Sequence, residues 1–351
     1  NTYEIDSNTT TTKIMYLEQP YGVPQQPPPL KVVRRMNIRQ NISFRYCLFC
    51  ICGLCGLLIT GTLIALFVYF IIRHRNTISS ILSYPNFFCS QHLCGCPNYN
   101  YEKSFISRIV GGKDAVPFTY PWLVALTDRY TIDPFCAGFI ISSNAILTAA
   151  HCLSGRNPNQ IQILARVHDL RQFNGDRYDI DKWFIYPEYQ YNDSMHINDI
   201  ALIKIKQIFA SDLRPCCLPT IQSSIYPRAK TAAVASGWGK LVAKPNNRNS
   251  PILQQVVMPI VDEKNIKCRQ SIVDINRQLC AGYNSLSIDT CSGDSGSPLL
   301  IVEYNDKKQG HFVATGIVSY GNRQCDASVS SGIYTRVGFY LSWIHNTLSN
   351  L

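Results

Sequence analysis

The chain carries the stretch Asp289-Thr-Cys-Ser-Gly-Asp-Ser295-Gly-Ser-Pro298. Its Ser295 follows one carboxylate directly and a second one, Asp289, at a distance of six residues. Glycine and small polar residues gather in turns by chance, so this string is weak evidence on its own. Serine is also a poor nucleophile near neutral pH and needs a base within hydrogen-bond reach. A chemical role for Ser295 therefore depends on partner residues elsewhere in the chain.

Two distant motifs supply those partners. Thr148-Ala-Ala-His151-Cys152 contains a histidine, and Asn198-Asp199-Ile-Ala-Leu-Ile203 contains an aspartate ahead of an apolar run. Histidine, with an ordinary pKa of about 6.5, can take and return a proton. An aspartate can orient the imidazole and stabilise its cation. Either motif alone is explained as well by a buried histidine or a turn carboxylate, but together with the serine motif they predict a triad of His151, Asp199 and Ser295.

A fourth motif, Arg108-Ile109-Val-Gly-Gly112, completes a resemblance. From Ile109 to Leu351 the chain resembles the trypsin-like serine peptidases, whose roles follow in the order His, Asp, Ser. Members are zymogens in which a cut after a basic residue creates a new Ile amino terminus. The resemblance implies cleavage between Arg108 and Ile109, burial of the new ammonium against Asp294, hydrolysis of protein or peptide substrates, and serine protease inhibitors as partners.

The residues after Ile109 also predict an all-β fold. Apolar runs such as Trp122–Leu126 and Phe312–Val318 are short and are separated by turn residues, which is typical of strands. Leu341, Ile344 and Leu348 recur at helical spacing and predict a C-terminal helix. The resemblance implies two six-stranded antiparallel β-barrels with the triad in the cleft between them. We expect residues 109–351 to form this peptidase domain.

The resemblance extends to the groups around the serine. It implies an oxyanion hole built from the backbone N–H groups of Gly293 and Ser295, each donor contributing about 3–4 kcal/mol because the charge develops only in the transition state. Ser297 occupies the place of a glycine that is usual in the family. We expect this replacement to change local packing without loss of activity.

Four residues are expected to bind substrate or support the site. The resemblance places Asp289 at the base of the specificity pocket, where a buried carboxylate pairs with Arg or Lys of the substrate; a solvated loop acid is the alternative interpretation. Ser319 resembles the serine that supports the aspartate of the triad. Gly321 and Gly332 correspond to the glycines that line the pocket walls and admit long side chains.

Fifteen cysteines, eight of them after Ile109, indicate an oxidising compartment. The resemblance implies that Cys136 pairs with Cys152, Cys268 with Cys280, and Cys291 with Cys325, and that Cys94 pairs with Cys217 to tether the peptidase domain to the preceding segment. The adjacent Cys216 suggests a second such bond. Cys89 and Cys96 compete for that partner, so these pairings stay open.

The residues before Ile109 predict a membrane anchor. Tyr46 to Ile72 contain no charge over 27 residues, enough for a helix of about 40 Å that crosses about 30 Å of hydrocarbon. A cleaved signal peptide is the alternative, but its apolar run covers only about 7–15 residues. More basic residues precede the span than follow it, which predicts a cytoplasmic amino terminus. The first 30 residues are rich in Thr, Gln and Pro and show no periodicity, so we expect a disordered tail over residues 1–45. A transmembrane helix over 46–72 and a short stem over 73–108 are expected to follow.

This orientation places the peptidase domain outside the cell or in a lumen. Asn192, in Asn192-Asp-Ser194, is then a predicted glycosylation site. Cysteines inside the span are explained equally well by acylation and by helix packing. The net charge of +10 is spread thinly, so we predict no nucleic-acid partner, and no cofactor or metal site is evident. A silent relative that only binds other proteins is the main alternative function, and it is disfavoured by the complete triad.

Overall fold

The computed structural model describes residues 61–71, 94–97, 113–192, 195–220, 226–239, 249–282, 293–305, 309–321 and 331–351. It contains two compact units, Asn1–Val68 and Tyr69–Leu351. Residues 61–71 are helical with exposed side chains. Among the described residues, no helix combines the length and the apolar character that crossing a membrane requires. The remaining predicted span, residues 46–60 and 72, lies outside the described residues, as do the tail and most of the stem.

The second unit is built mainly from strands. In chain order they are β1 (Lys113–Asp114), β2 (Leu123–Asp128), β3 (Pro134–Ile140), β4 (Ala145–Thr148), β5 (Ile161–Ala165), β6 (Asp176–Ile185), β7 (Gln190–Asn192), β8 (Met195–Ile197), β9 (Ala201–Ile205), β10 (Ala232–Gly237), β11 (Gln254–Pro259), β12 (Gln278–Ala281), β13 (Pro298–Tyr304), β14 (Gly310–Tyr320) and β15 (Gly332–Arg336). The helices are α1 (Ile266–Ser271) and α2 (Leu341–Ser349).

Six strands close into the first barrel, in the order β2-β3-β4-β9-β6-β5. This confirms one of the two predicted six-stranded barrels. Its strands are short apolar runs with buried side chains; Val124, Ile146 and Leu202 are completely buried and belong to one core. Closure leaves no free strand edge within this barrel, while β7 and β8 form a separate two-stranded sheet.

The second half differs from the prediction. It is an open sheet of seven strands, in the order β1-β11-β10-β13-β14-β15-β12, instead of a closed six-stranded barrel. Among the described residues, the one pairing between the β11 side and β12 is an isolated bridge between Ile260 and Ala281, while β1 adds to the outer edge of β11. The physical reason is that the chain turns away from the sheet after Pro259, at the end of β11. It meets the end of β12 at one described residue pair, and a single pair does not make a hydrogen-bonded ladder between the two strands.

The two helices are short. The predicted C-terminal helix is present as α2, where Leu341 and Ile344 are buried. Edge-on contacts of the Trp343 and Tyr340 rings with Tyr186 pack this end of the chain against the first barrel. Sequence periodicity did not predict α1, which has only six residues. Asn265 caps its amino-terminal end, where the Asn265 side chain accepts hydrogen bonds from two backbone N–H groups of the helix.

Three of the four predicted disulfides join described residues. They are Cys94–Cys217, Cys136–Cys152 and Cys268–Cys280. Cys291 and Cys325 lie outside the described residues. Cys216 is free and buried, so the expected bond from Cys216 to a second stem cysteine is wrong. Burial raises the pKa of the Cys216 thiol, because the charged thiolate is disfavoured away from water.

Candidate active site

His151 lies on a short 3₁₀ turn, Ala150–Cys152, that directly follows β4. The turn is anchored from both sides, because Ala150 and Cys152 are buried and Cys152 is bonded to Cys136 of β3. The His151 side chain between them keeps 20% of its surface exposed. The closed barrel therefore fixes the backbone of this histidine while its ring reaches the surface.

Asp199 lies just before β9 and its side chain is fully buried. It binds His151 twice, accepting from the backbone N–H at 2.9 Å and from ring Nδ1 at 2.7 Å. Ser319 Oγ of β14 donates a further hydrogen bond to the same carboxylate. Ser319, which was predicted to support the aspartate, thus comes from the seven-stranded sheet. Its hydrogen bond to Asp199 joins the two halves of the domain.

The charge state of Asp199 follows from these contacts. Burial by itself raises its pKa, but the attraction to His151 and the hydrogen bonds from His151 and Ser319 outweigh burial and lower the pKa overall. The carboxylate is therefore ionised near neutral pH. It holds Nδ1 protonated and leaves Nε2 as the ring nitrogen that can accept a proton.

Asn198 sets the position of Asp199 from the preceding residue. Its φ is +56°, a left-handed conformation that asparagine tolerates better than most residues. Its amide donates to the Glu188 carbonyl at 2.7 Å, and its oxygen accepts from Tyr340 at 2.8 Å and Arg277 at 3.1 Å. This explains why asparagine stands beside the aspartate, since its side chain ties three segments together.

Ser295 lies on the turn that leads into β13. The turn contains Gly293 at φ +107° and Gly296 at φ +86°, both in the region that favours glycine. The Ser295 carbonyl accepts from Ala137 of β3 at 2.8 Å. No hydrogen bond joins Ser295 Oγ to His151 in the described part of the chain; such bonds are often long until substrate is present.

The sulfur of Cys152 lies close to both His151 and the turn that carries Ser295. Cys152 Sγ lies 3.8 Å from His151 Nε2 and 3.7 Å from the Ser295 carbonyl oxygen. His151 Nε2 and the carbonyl of Ser295 are therefore both neighbours of the same sulfur atom. Proton transfer between Ser295 Oγ and His151 requires a closer approach, within hydrogen-bond reach.

The predicted oxyanion-hole donors are the N–H groups of Gly293 and Ser295. Neither donates to another described residue. A Cβ on Gly293 would lie 2.9 Å from the Gly239 Cα, so only glycine fits this approach of two backbone segments. Two backbone donors without a protein acceptor at one turn can stabilise a developing oxyanion.

Asp294 points away from this turn towards the end of β10. Its Oδ1 accepts from the Gly239 N–H at 2.8 Å. A Cβ on Gly237 would lie 2.1 Å from Oδ1, and one on Gly239 would lie 2.4 Å from Oδ2. The carboxylate thus lies between two glycine backbones that leave it room.

The described residues include part of the predicted substrate pocket. Gly332 is buried in β15 opposite Ala281 of β12, and Gly321 is exposed where β14 ends. Asp289 lies outside the described residues, and so do Arg108 and Ile109. Asn192 is exposed in β7.

The comparisons with known proteins agree with this geometry. Residues 109–344 match the protein family described as Trypsin. The chain belongs to the trypsin family. Residues 109–344 form a trypsin-like serine protease domain, a type of hydrolase.

Three relatives of this trypsin-family chain are similar to it in sequence but have different names. The chain is 33% identical to CLIP domain-containing serine protease B8 of Anopheles gambiae over 69% of its length, 32% identical to Phenoloxidase-activating enzyme of Bombyx mori over 69%, and 32% identical to Transmembrane protease serine 7 of Mus musculus over 71%. It spans 66%, 60% and 29% of these relatives' own lengths.

His196 is a site residue of this trypsin-family chain that sequence reasoning missed. Its ring packs on the His151 ring with 4.7 Å between the centroids, and its Nδ1 lies 3.0 Å from the Tyr189 hydroxyl. Burial lowers the pKa of His196, and the neighbouring His151 acts in the same direction. The available signal was the cluster of Tyr189, Tyr191 and His196 shortly before Asp199.

His151, His196 and Asp199 form one of the two groups in the described part of the chain whose donor atoms lie close enough to hold a metal ion; the other is His151 with the disulfide-bonded Cys136 and Cys152. Single atoms of His151, His196 and Asp199 lie within 4.8 Å of one another. The Asp199 carboxylate already binds His151 Nδ1, and His196 Nδ1 is within hydrogen-bond distance of Tyr189. Nδ1 of each histidine thus has a partner within the protein, while His151 Nε2 stays available for proton transfer.

Proposed function

We propose that this chain is a membrane-anchored extracellular serine endopeptidase. It is made as a zymogen, is activated by cleavage between Arg108 and Ile109, and hydrolyses peptide bonds after Arg or Lys. The observation that carries the proposal is the buried Asp199 carboxylate, which holds His151 by two hydrogen bonds, one of them to ring Nδ1, and so leaves Nε2 available to accept a proton.

The proposed mechanism uses the groups in that arrangement. His151 Nε2 takes the proton of Ser295 Oγ while Oγ attacks the carbonyl carbon of the scissile bond. The oxyanion that forms accepts hydrogen bonds from the N–H groups of Gly293 and Ser295. His151 then gives the proton to the leaving amine, and the acyl group stays on Ser295 until water, deprotonated by His151, releases it. Asp199 stabilises the imidazolium throughout.

The preference for Arg or Lys rests on Asp289. A carboxylate at the base of a closed pocket is costly to leave unpaired and favours a substrate that brings a cation. Gly321 and Gly332 leave the width that a long side chain needs. The support for these three roles is the resemblance of the sequence to trypsin-like members.

Activation is supported by the register of β1. Lys113 pairs with Gln255 of β11, and Ser236 of β10 pairs with Gln255 from the other side. Adjacent strands are about 4.8 Å apart, so Lys113 lies about 10 Å from Ser236. Ile109 is four residues before Lys113, a reach of about 13–14 Å. A new Ile109 terminus can therefore reach the glycines that hold Asp294.

The membrane anchor rests on the uncharged run from Tyr46 to Ile72 and on the basic residues that precede it. Helical residues 61–71 within that run expose Leu, Ile, Phe and Val side chains. One relative is named as a transmembrane protease. We infer a single span with the amino terminus in the cytoplasm, the peptidase domain outside the cell, and a glycan on Asn192.

The test uses the full chain, cut after Arg108 by immobilised trypsin that is then removed. Hydrolysis of matched arginyl, phenylalanyl and valyl amides is measured beside Ser295→Ala and Asp289→Ser variants. The proposal expects turnover of the arginyl amide only, lost in Ser295→Ala and reduced at least 100-fold in Asp289→Ser. No turnover by protein with a confirmed Ile109 terminus would contradict it.

A further inference from the structure

Arg336, the last residue of β15, is a buried cation whose bonds go to backbone carbonyls. Only 5% of its surface is exposed. Its guanidinium donates from Nε to the Ile275 carbonyl at 3.2 Å and from Nη2 to the Gln278 carbonyl at 3.1 Å. Nη1 donates to the Tyr226 carbonyl. In the described part of the chain, no carboxylate forms an ion pair with Arg336.

The guanidinium of Arg336 keeps both its charge and spare donors. Burial lowers its pKa to about 10, and the charge of Glu263 acts in the opposite direction, so the group is protonated at neutral pH. A guanidinium carries five N–H donors, and the three carbonyls accept one from each nitrogen. One N–H on each terminal nitrogen therefore remains for another acceptor. A buried charge is stabilised best by a partner of opposite charge.

A cavity of about 470 Å³ borders this guanidinium. Arg228 and Lys264 line the same cavity from two other segments of the chain, and both are exposed. Neither side chain makes an ion pair with a described residue. The cavity therefore has one cation, Arg336, on its buried wall and two at its rim.

Two carboxylates line the cavity as well. Asp262 is exposed, and its Oδ1 accepts from the backbone N–H of Lys264 at 2.8 Å, which holds it in its own turn. Glu263 is half-buried and acts on Arg336 by its charge without a direct ion pair. Three cations against two carboxylates leave one positive charge in excess. The lining thus favours an anion as the ligand.

We propose that this cavity binds a sulfate or phosphate group, either as the free ion or as an ester. The spare N–H groups of Arg336 bind its oxygens, since a guanidinium pairs well with oxyanions. Arg228 and Lys264 bind the oxygens that face the rim. Because the three cations come from three segments, a tetrahedral group, whose oxygens point in several directions, fits them better than a planar carboxylate. This inference does not depend on the proposed function.

The experiment measures dissociation constants of inorganic sulfate, inorganic phosphate and glucose 6-phosphate by isothermal titration calorimetry. It uses the full chain with Ser295→Ala to prevent self-cleavage, at an ionic strength held constant with sodium chloride. Arg336→Lys and the double variant Arg228→Ala with Lys264→Ala are compared with the parent. Arg269→Ala is the matched control, because Arg269 is an exposed cation of α1 that makes no ion pair and does not line the cavity.

The proposal expects saturable binding of one probe per chain. Arg336→Lys should weaken it at least about tenfold, because an ammonium lacks the forked donors of a guanidinium. The double rim variant should weaken it about fivefold, and Arg269→Ala by less than about twofold. If Arg336→Lys does not fold, the rim variant decides the test.

The choice of probes separates the two sources of the group. Tighter binding of glucose 6-phosphate than of phosphate would support a group carried on a larger molecule, and the reverse would support a free ion. Absence of saturable binding to the parent chain would overturn the proposal. Equal dissociation constants for the parent and the double rim variant would also overturn it.

Discussion

The two halves of the peptidase domain are built to different degrees of closure. The first is a barrel in which every strand pairs on both sides, and it supplies His151 and Asp199. The second is an open sheet with a single bridge across its margin, and it supplies Ser295 and Ser319. The proposed general base is thus held by the closed barrel, while the proposed nucleophile and oxyanion donors lie on a turn of the open sheet.

The two halves are expected to respond differently to the proposed cleavage. The contacts of Asp199 with His151 do not involve residues near the proposed cleavage site. The Ser295 turn, in contrast, is continuous with Asp294 and with the glycines that border it. We infer that cleavage acts on the open half and leaves the acid–base pair of the closed half as it was.

The largest effect is expected from the nucleophile on the open half. Ser295→Ala removes the atom that forms the acyl-enzyme, and kcat falls by about 10⁶-fold. Thermal unfolding of the variant should match wild type, because Ser295 is only half-buried. Residual activity above 1% in protein free of the activating protease would show that Ser295 is not the nucleophile.

The next effect concerns the acid–base pair of the closed half. Asp199→Asn keeps the shape of the side chain but favours the wrong tautomer of His151, and kcat falls by about 10⁴-fold. KM should change by less than threefold, since Asp199 is buried and touches no substrate. Steady-state kinetics separate the two constants. A rise in KM with an unchanged kcat would place Asp199 outside the proton transfer.

Removal of one disulfide from each half separates stability from catalysis. Cys136→Ala with Cys152→Ala, and Cys268→Ala with Cys280→Ala, open loops with sequence separations of 16 and 12. Each pair should cost about 3 kcal/mol in the free energy of unfolding, measured in urea. Only the first should also lower kcat, at least tenfold, because it anchors the turn that carries His151. Equal kcat values would contradict that role.

The smallest effect is expected from loss of the hydrogen bond between Ser319 and Asp199, which joins the two halves. Asp199 has a lowered pKa, so its bonds add stability above its ordinary pKa of about 3.9 and lose it as the pH falls through the folded value. Ser319→Ala, in the inactive Ser295→Ala background, should lose about 1.5–3 kcal/mol of unfolding free energy at pH 6 and less at a pH below the lowered folded pKa of Asp199.

Thr335→Val is the matched control for Ser319→Ala. Thr335 Oγ1 donates to the backbone carbonyl of Asp199 at 2.8 Å and not to its carboxylate. Its loss should therefore be similar at the two pH values. A loss in Ser319→Ala that does not depend on pH would mean that its bond does not stabilise the ionised carboxylate.

The sequence predicted the parts that recur as local patterns. Alternating runs predicted strands, and the spacing of Leu341 and Ile344 predicted α2. The open margin of the second half was not predictable, because a ladder between β11 and β12 depends on where two distant segments meet. His196 was missed for a similar reason, since its stacking on His151 joins residues 45 positions apart and carries no spacing rule.

The state of Cys216 shows another limit. Adjacent cysteines suggested two bonds, but the side chains of neighbouring residues in extended backbone point to opposite sides. Cys217 meets Cys94, while Cys216 lies in the core beside the Phe312 carbonyl. The sequence shows that two cysteines are adjacent, but it does not show which way each side chain points or which of them forms a disulfide.

The most direct test of the central claim is covalent labelling with a fluorophosphonate, read out by intact mass before and after the cut at Arg108. The reagent reacts only with a serine that has both an active base and an oxyanion hole. We expect one adduct per chain, on Ser295, in cut protein and at least 100-fold slower labelling of the uncut chain. Equal labelling rates would contradict the claim that cleavage completes the open half.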